Sequence, residues 1–337
     1  MDISNPTAHH DPILSLTDGI LPMIHKNLAG VLLAGLVCRL VLFTIPAYSE
    51  TAEAPPSESP AWTGIWGSSP TNIFVVGESG AVGHYDGKKF VSMDSGTRLW
   101  LSAVTGTSPT AVYASGYNGL ILYYDGHRWE RMESGVTNDL NGIWGSSPTD
   151  VHAVGDRGTI IHYDGTRWAP VRSGTQNLLF GIWGSSPQNV YAAGGRSTLL
   201  HFNGKGWQSV ALPQKGHFVG VWGNSSGDIF LVGDEGILLH YDGKEWVAMA
   251  SGVSDVLRSV WGSSGRDVFV AGDNGLVLHY DGHSWQKQPA VTDEPLRSIW
   301  GNGPSNVYAV SENGLILRYD GQKWKNLTQE EGTTLLP

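Results

Sequence analysis

The chain has 337 residues, 40% of them hydrophobic and 45 of them glycine, and its net charge is −10. So much glycine fits a protein of many turns rather than of long helices, and an acidic surface without a basic stripe excludes nucleic acid as a partner. The one cysteine, Cys38, sits in an apolar N-terminal stretch, so the body has no disulfide, no cysteine-ligated metal and no cysteine nucleophile.

The first element in chain order is an address. Residues 27–45, NLAGVLLAGLVCRLVLFTI, follow Lys26 and precede PAYSETAEAP, with small-residue exits after Ser49 and Ala54. Charge, apolar core and small exit define a secretory signal over 1–49 or, uncleaved, a membrane anchor. The start is Met1 or Met23. Arg39 within the run would cost about 2.5–3.5 kcal/mol at a bilayer centre, which favours a transient signal over a permanent span. In both cases the folded part is exported to the periplasm, the cell surface or the medium, and any membrane contact runs through this segment. Residues 50–61, ETAEAPPSESPA, read as a Pro/Ser/Glu linker. Without 1–49 the charge is −9, from 19 basic and 28 acidic residues.

A repeat then fills 62–328, leaving a tail of 329–337. The tryptophans of IWG, at 66, 144, 183, 222, 261 and 300, are spaced by 39 or 78, with Thr105 in the gap. The aspartates of YDG (Asp86, Asp125, Asp164, Asp242, Asp281, Asp320, with Asn203 in the remaining register) keep the same step, as do the aromatics four residues later. Repeats of this length mean a propeller, a solenoid or an array. The third copy decides: LNGIWG (140–145), VHAVG (151–155), TIIHY (159–163) and TRWAPV (166–171) are short strand runs separated by SSPTD, DRG and DG. DG is a strong hairpin signal, because its residues tolerate positive φ. Four strands joined by tight reversals form one propeller blade, so the sequence predicts an all-β, seven-bladed propeller. Twelve of the fourteen tryptophans occupy repeat positions, which assigns them to packing between blades. Whether residues 62–67 stay in the first blade or complete the last one, latching the ring, is open at this point.

AVGDRGTIIHYDGTRW and VAGDNGLVLHYDGHSW resemble the bacterial propellers related to photosystem II assembly and stability factors. More loosely they resemble the Asp-box (BNR) repeats of sialidase-like proteins, and IWG with YDGxxW is similar to tectonin-type lectin propellers. The resemblance covers all seven repeats. It departs from the Asp-box pattern in one respect, since Asp164 to Trp168 is a step of four. It implies a propeller that recognises a partner: an unknown protein of the cell envelope for an assembly scaffold, or a polysaccharide for a lectin. A glycoside hydrolase of Asp-box type is the remote alternative.

No cofactor, metal site or catalytic residue is expected. His84, His162, His201, His240 and His279 recur on the third strand, about 10 Å outside the innermost one at 4.8 Å per strand. They are too far apart to converge on one ion, whose ligands must each lie within about 2.1 Å. The YDG aspartates sit in hairpin turns, where they support backbone. Glu78, Asp156, Asp234, Glu235, Asp273 and Glu312 lie on separate blades, too far apart to share a cation. The eleven arginines after residue 49 are scattered over several repeat phases, and no nucleophile elbow, phosphate loop or zinc motif occurs. Enzymatic activity is therefore not expected.

In near-identical blades the shared residues build the fold, and recognition lies where blades differ. Trp100 and His217 stand in links between blades, while Tyr117, Arg157 and Arg196 stand in the turns between second and third strands of repeats 2, 3 and 4. Links and turns share one face in the usual blade path. These five residues form the expected partner-binding patch. Trp100 also has a plainer reading, in which it refills space left empty by Thr105.

Overall fold

The computed structural model describes residues 60–328. The signal or anchor over 1–49, the linker up to residue 59 and the tail over 329–337 lie outside the described residues. Seven four-stranded antiparallel sheets follow one another along the chain. Blade 1 consists of Trp62–Ser69, Asn72–Gly77, Val82–Tyr85 and Phe90–Met93. Blades 2 to 7 begin at Leu101, Leu140, Leu179, Phe218, Leu257 and Leu296. The first strands of successive blades touch one another all the way round, so they surround the axis. Among the described residues no helix is long and apolar enough to cross a membrane.

Every blade is built from contiguous sequence, and the ring closes without a shared strand. Trp62 pairs with Gly77 of its own blade, and blade 7 supplies its own four strands. Closure rests on packing. Trp62, Ile65 and Phe90 of blade 1 share a buried cluster with Tyr308, Val310 and Ile316 of blade 7.

Two side-chain keys explain why the tryptophans recur. The inner-strand tryptophan of six of the seven blades packs against a glycine of the next: Trp66 on Gly106, Trp144 on Gly184, Trp183 on Gly223, Trp222 on Gly262, Trp261 on Gly301 and, across the closing seam, Trp300 on Gly67; blade 2 has Thr105 there. A Cβ at Gly67 would stand 2.6 Å from the Trp300 ring, so this close approach requires glycine. The outer tryptophan of each of blades 2 to 7 meets the second-strand aromatic of the blade before it edge-on, as in Phe74–Trp129 (5.9 Å, 85°) and Phe269–Trp324 (6.3 Å, 80°). Such edge-to-face pairs add about 0.5–1.5 kcal/mol beyond the area they bury.

The turn after the second strand is a tight 3-10 turn in blades 1, 2, 3 and 5, at Glu78–Gly80, Tyr117–Gly119, Asp156–Gly158 and Asp234–Gly236. Its glycine has positive φ and faces a carbonyl of the following link, so a Cβ at Gly80 would strike Thr97 O. Blade 4 solves this differently. Arg196 and Ser197 both have positive φ (54° and 62°), and the glycine has moved into the link. Ser197 N donates to Gly216 O at 2.7 Å, and Gly216 N donates to Ser197 Oγ at 3.1 Å.

Candidate binding site at the axial mouth

Each inner strand starts with a β-bulge. In blade 1, Trp62 and Gly64 face the adjacent residues Gly77 and Val76, which leaves Thr63 without a partner residue. The same shift recurs in all seven blades. A bulge re-aims a side chain. Here it delivers Thr63, Ser102 and Asn141 from blades 1–3, Phe180 and Val219 from blades 4 and 5, and Arg258 and Arg297 from blades 6 and 7 to the rim of one axial funnel of about 470 Å³. The residue after the bulge is always small (Gly64, Ala103, Gly142, Gly181, Gly220, Ser259, Ser298). The strands need this room, because a Cβ at Gly64 would press on Ala103 Cα of the next strand.

The rim side chains are held in place. Thr63 Oγ1 donates to Leu101 O of the next blade at 2.6 Å, and Asn141 Nδ2 donates to Leu179 O and to Asp156 Oδ1, each at 3.0 Å. Arg258 pairs with Asp273 through both Nε and Nη2, the latter at 3.0 Å, and Arg297 pairs with Glu312. Burial lowers the pKa of the Arg297 guanidinium, and the neighbouring Arg258 charge adds to that, while Asp273 and the Tyr117 hydroxyl oppose it.

Of the five sequence-predicted residues, the structure brings two to this mouth. Trp100 and Tyr117 stack with centroids 5.7 Å apart and planes 13° from parallel, and both line the funnel. Tyr117 N donates to Trp100 O at 3.0 Å, and Asp234 N donates to His217 O at 3.0 Å, so links and turns share a face. Arg157 and Arg196 occupy turn tips at positive φ and are exposed. The His217 ring lies against Gly195, beside Arg196. These three form an arc over blades 3 to 5 and do not line the funnel.

The plainer reading of Trp100 fails. Thr105 pairs with Tyr113, whereas Trp100 lies at the other end of the strand, beside Gly116. They stand five positions apart along an extended strand, about 16 Å at 3.3 Å per step. The flat spot at Gly145 that a tryptophan at 105 would cover is met by Thr107 and Val151. The eleven arginines do fall in several repeat phases, but two of them meet at the axis. Arg258 and Arg297 are one repeat apart, in LRSVWG and LRSIWG. That shared phase was a weak signal, because Arg128 and Arg167, and Arg157 and Arg196, are also one repeat apart, and nothing in the sequence marks the position as a bulge.

The recurring histidines serve their own blades. Nε2 of His84, His162, His201, His240 and His279 donates to the Asn72, Asp150, Asn189, Asp228 or Asp267 side chain at 2.6–2.7 Å. In blade 3 Ser146 also donates to Asp150. The carboxylate thus bridges serine and histidine, and the imidazole does not touch the hydroxyl, so this is not an arrangement that activates a nucleophile. The hairpin aspartates accept from two backbone N–H groups of their own turn, as Asp86 does from Lys88 and Lys89 (2.8 and 3.0 Å). Those bonds hold its carboxyl below the ordinary value.

His152 was missed. It is 2% exposed and stands where the other blades carry Phe74, Tyr113, Tyr191, Phe230, Phe269 and Tyr308. Its ligand atoms, with those of Asp150 and His162, lie within 4.8 Å of one another. The two imidazoles stack at 4.3 Å and 22°, however, so their in-plane lone pairs run nearly parallel and do not converge on an ion. Burial pushes the His152 pKa down to about 4, the adjacent His162 adds to the fall, and Asp150 opposes it.

The chain is similar to solved structures of YCF48. One, described as YCF48 bound to D1 peptide, is 14% identical with a TM-score of 0.66, covering 78% of this chain and 92% of that one. Another, YCF48 from Cyanidioschyzon merolae, is 16% identical with a TM-score of 0.66, covering 80% and 98%. At this identity the likeness is one of fold, and it agrees with the assembly-factor-like resemblance of the repeats. No protein-family model and no curated protein matches the chain.

Proposed function

We propose that the chain is an exported, non-enzymatic propeller that binds a protein partner of the cell envelope across its turn face, as an interaction or assembly scaffold. One observation carries this reading: seven blades that agree in their packing residues differ at the bulge ring and at the turn tips, all on one face. The D1 peptide held by YCF48 supports a polypeptide ligand for a propeller of this shape. The apolar segment 27–45 supports export. The non-enzymatic part is supported by the funnel lining, whose ionisable side chains are Tyr117, Arg258 and Arg297 alone.

The test is capture from envelope extract on full-length chain, with an Arg157→Ala/Arg196→Ala/His217→Ala variant beside it. A stoichiometric protein that also binds in purified form, and that the variant loses, supports the scaffold. Equal capture by both chains removes the outer arc from the site. Turnover of an envelope polymer would overturn the non-enzymatic reading.

A further inference from the structure

The funnel has properties that a broad protein contact does not use. Its volume, about 470 Å³, falls in the lower half of the range for small-molecule sites, roughly 300–1,000 Å³. Each inner strand is the edge of its sheet, so its outer backbone edge of N–H and C=O groups faces the axis. Planar polar side chains stand at the rim in fixed orientations: Asn141 held by Asp156, Arg258 by Asp273, Arg297 by Glu312. A stacked aromatic pair completes the wall, and Tyr117 in it is 42% exposed.

Charge narrows the ligand class. Arg258 and Arg297 line the funnel, whereas their partners Asp273 and Glu312 do not, so the lining itself carries only positive charge and disfavours a cation. An anion would compete with carboxylates already paired to those arginines. At the positions fifteen residues beyond the bulges, Glu78, Asp156, Asp234, Asp273 and Glu312 set five negative charges against two positive ones. A neutral ligand avoids both conflicts. It must offer many hydroxyl donors and acceptors to fixed planar groups, and one apolar face to an aromatic ring. A sugar ring has both.

We infer that the axial funnel is a binding site for one neutral sugar ring, stacked against Tyr117 and hydrogen-bonded by Asn141 and the paired Arg258 and Arg297. This site is separate from the outer arc of Arg157, Arg196 and His217 and does not depend on the protein-scaffold reading.

The experiment is calorimetric titration of the full-length chain, in mild detergent, with glucose, galactose, mannose, xylose and N-acetylglucosamine. Sodium acetate and choline chloride serve as charged probes. One of the sugars is expected to saturate a single site. Tyr117→Ala and Asn141→Ala should each weaken it at least tenfold, and Arg157→Ala/Arg196→Ala should leave it unchanged. Tyr117→Phe, which keeps the ring, should retain binding, whereas a fold defect would not follow the ring. Absence of saturation by any sugar overturns the inference, as does tighter binding of acetate or choline, or binding insensitive to both rim variants. None of these outcomes touches the capture result, which reads the outer arc.

Discussion

Thr63 and Trp66 stand three positions apart on the same inner strand, and the repeat treats the two positions in opposite ways. At the tryptophan position six of seven blades are identical; at the bulge position the seven blades use six residue types. The tryptophan faces the next blade, which is a near copy of its own, so one residue that fits once fits at every seam. The bulged side chain is aimed at the axis and has no copy of the blade to fit. Uniformity marks where blades touch one another, and variety marks where something else touches them.

The largest test of this contrast is at the closing seam. Trp300→Ala should cost about 3–5 kcal/mol in urea unfolding, as Trp222→Ala should at an internal seam. A much smaller loss for Trp300 would show that the first and last blades are held by other means. The next is His152, the packing position where a titratable group has replaced an aromatic ring. A histidine whose folded pKa is about 4 against an unfolded value of 6.5 leaves the native state less protonated than the unfolded chain between those values. Stability is therefore complete above pH 6.5 and lost as the pH falls towards 4, by about 3 kcal/mol. His152→Phe should remove that component; an unchanged pH profile would place the acid sensitivity elsewhere.

Blade 2 offers a repair. Other blades pair the inner tryptophan with Ser or Asn two residues on, whereas blade 2 has Thr105 and Thr107. Thr105→Trp with Thr107→Ser should stabilise by about 1–2 kcal/mol. Thr105→Trp alone should be worse than the pair, since Thr107 already fills the space over Gly145. The smallest effect belongs to the rim: Tyr117→Ala, which removes only the half-exposed stack on Trp100, should cost about 0.5–1 kcal/mol, measured by the same unfolding curve, whatever it does to binding.

The fold was legible because the 39-residue step repeats turn chemistry as well as hydrophobicity, so strand count and blade count came together. Trp100 and Tyr117 were legible as departures from that step. Asn141, Arg258 and Arg297 were not, although the arginines are one period apart. Their importance depends on one extra residue against the neighbouring strand, and a bulge is a matter of pairing register rather than composition. His152 was not legible either, because a single histidine at a position that is aromatic in the other blades carries no mark of its burial.

Closure by packing alone has a consequence for how such a chain can be cut and grown. Each blade is complete in itself, and the joint between last and first uses the same tryptophan and glycine as an internal joint. The ring therefore has no privileged beginning. A chain rewired to start at Phe218, with its old ends joined by a short linker, should wind into the same propeller and close where Trp183 meets Gly223.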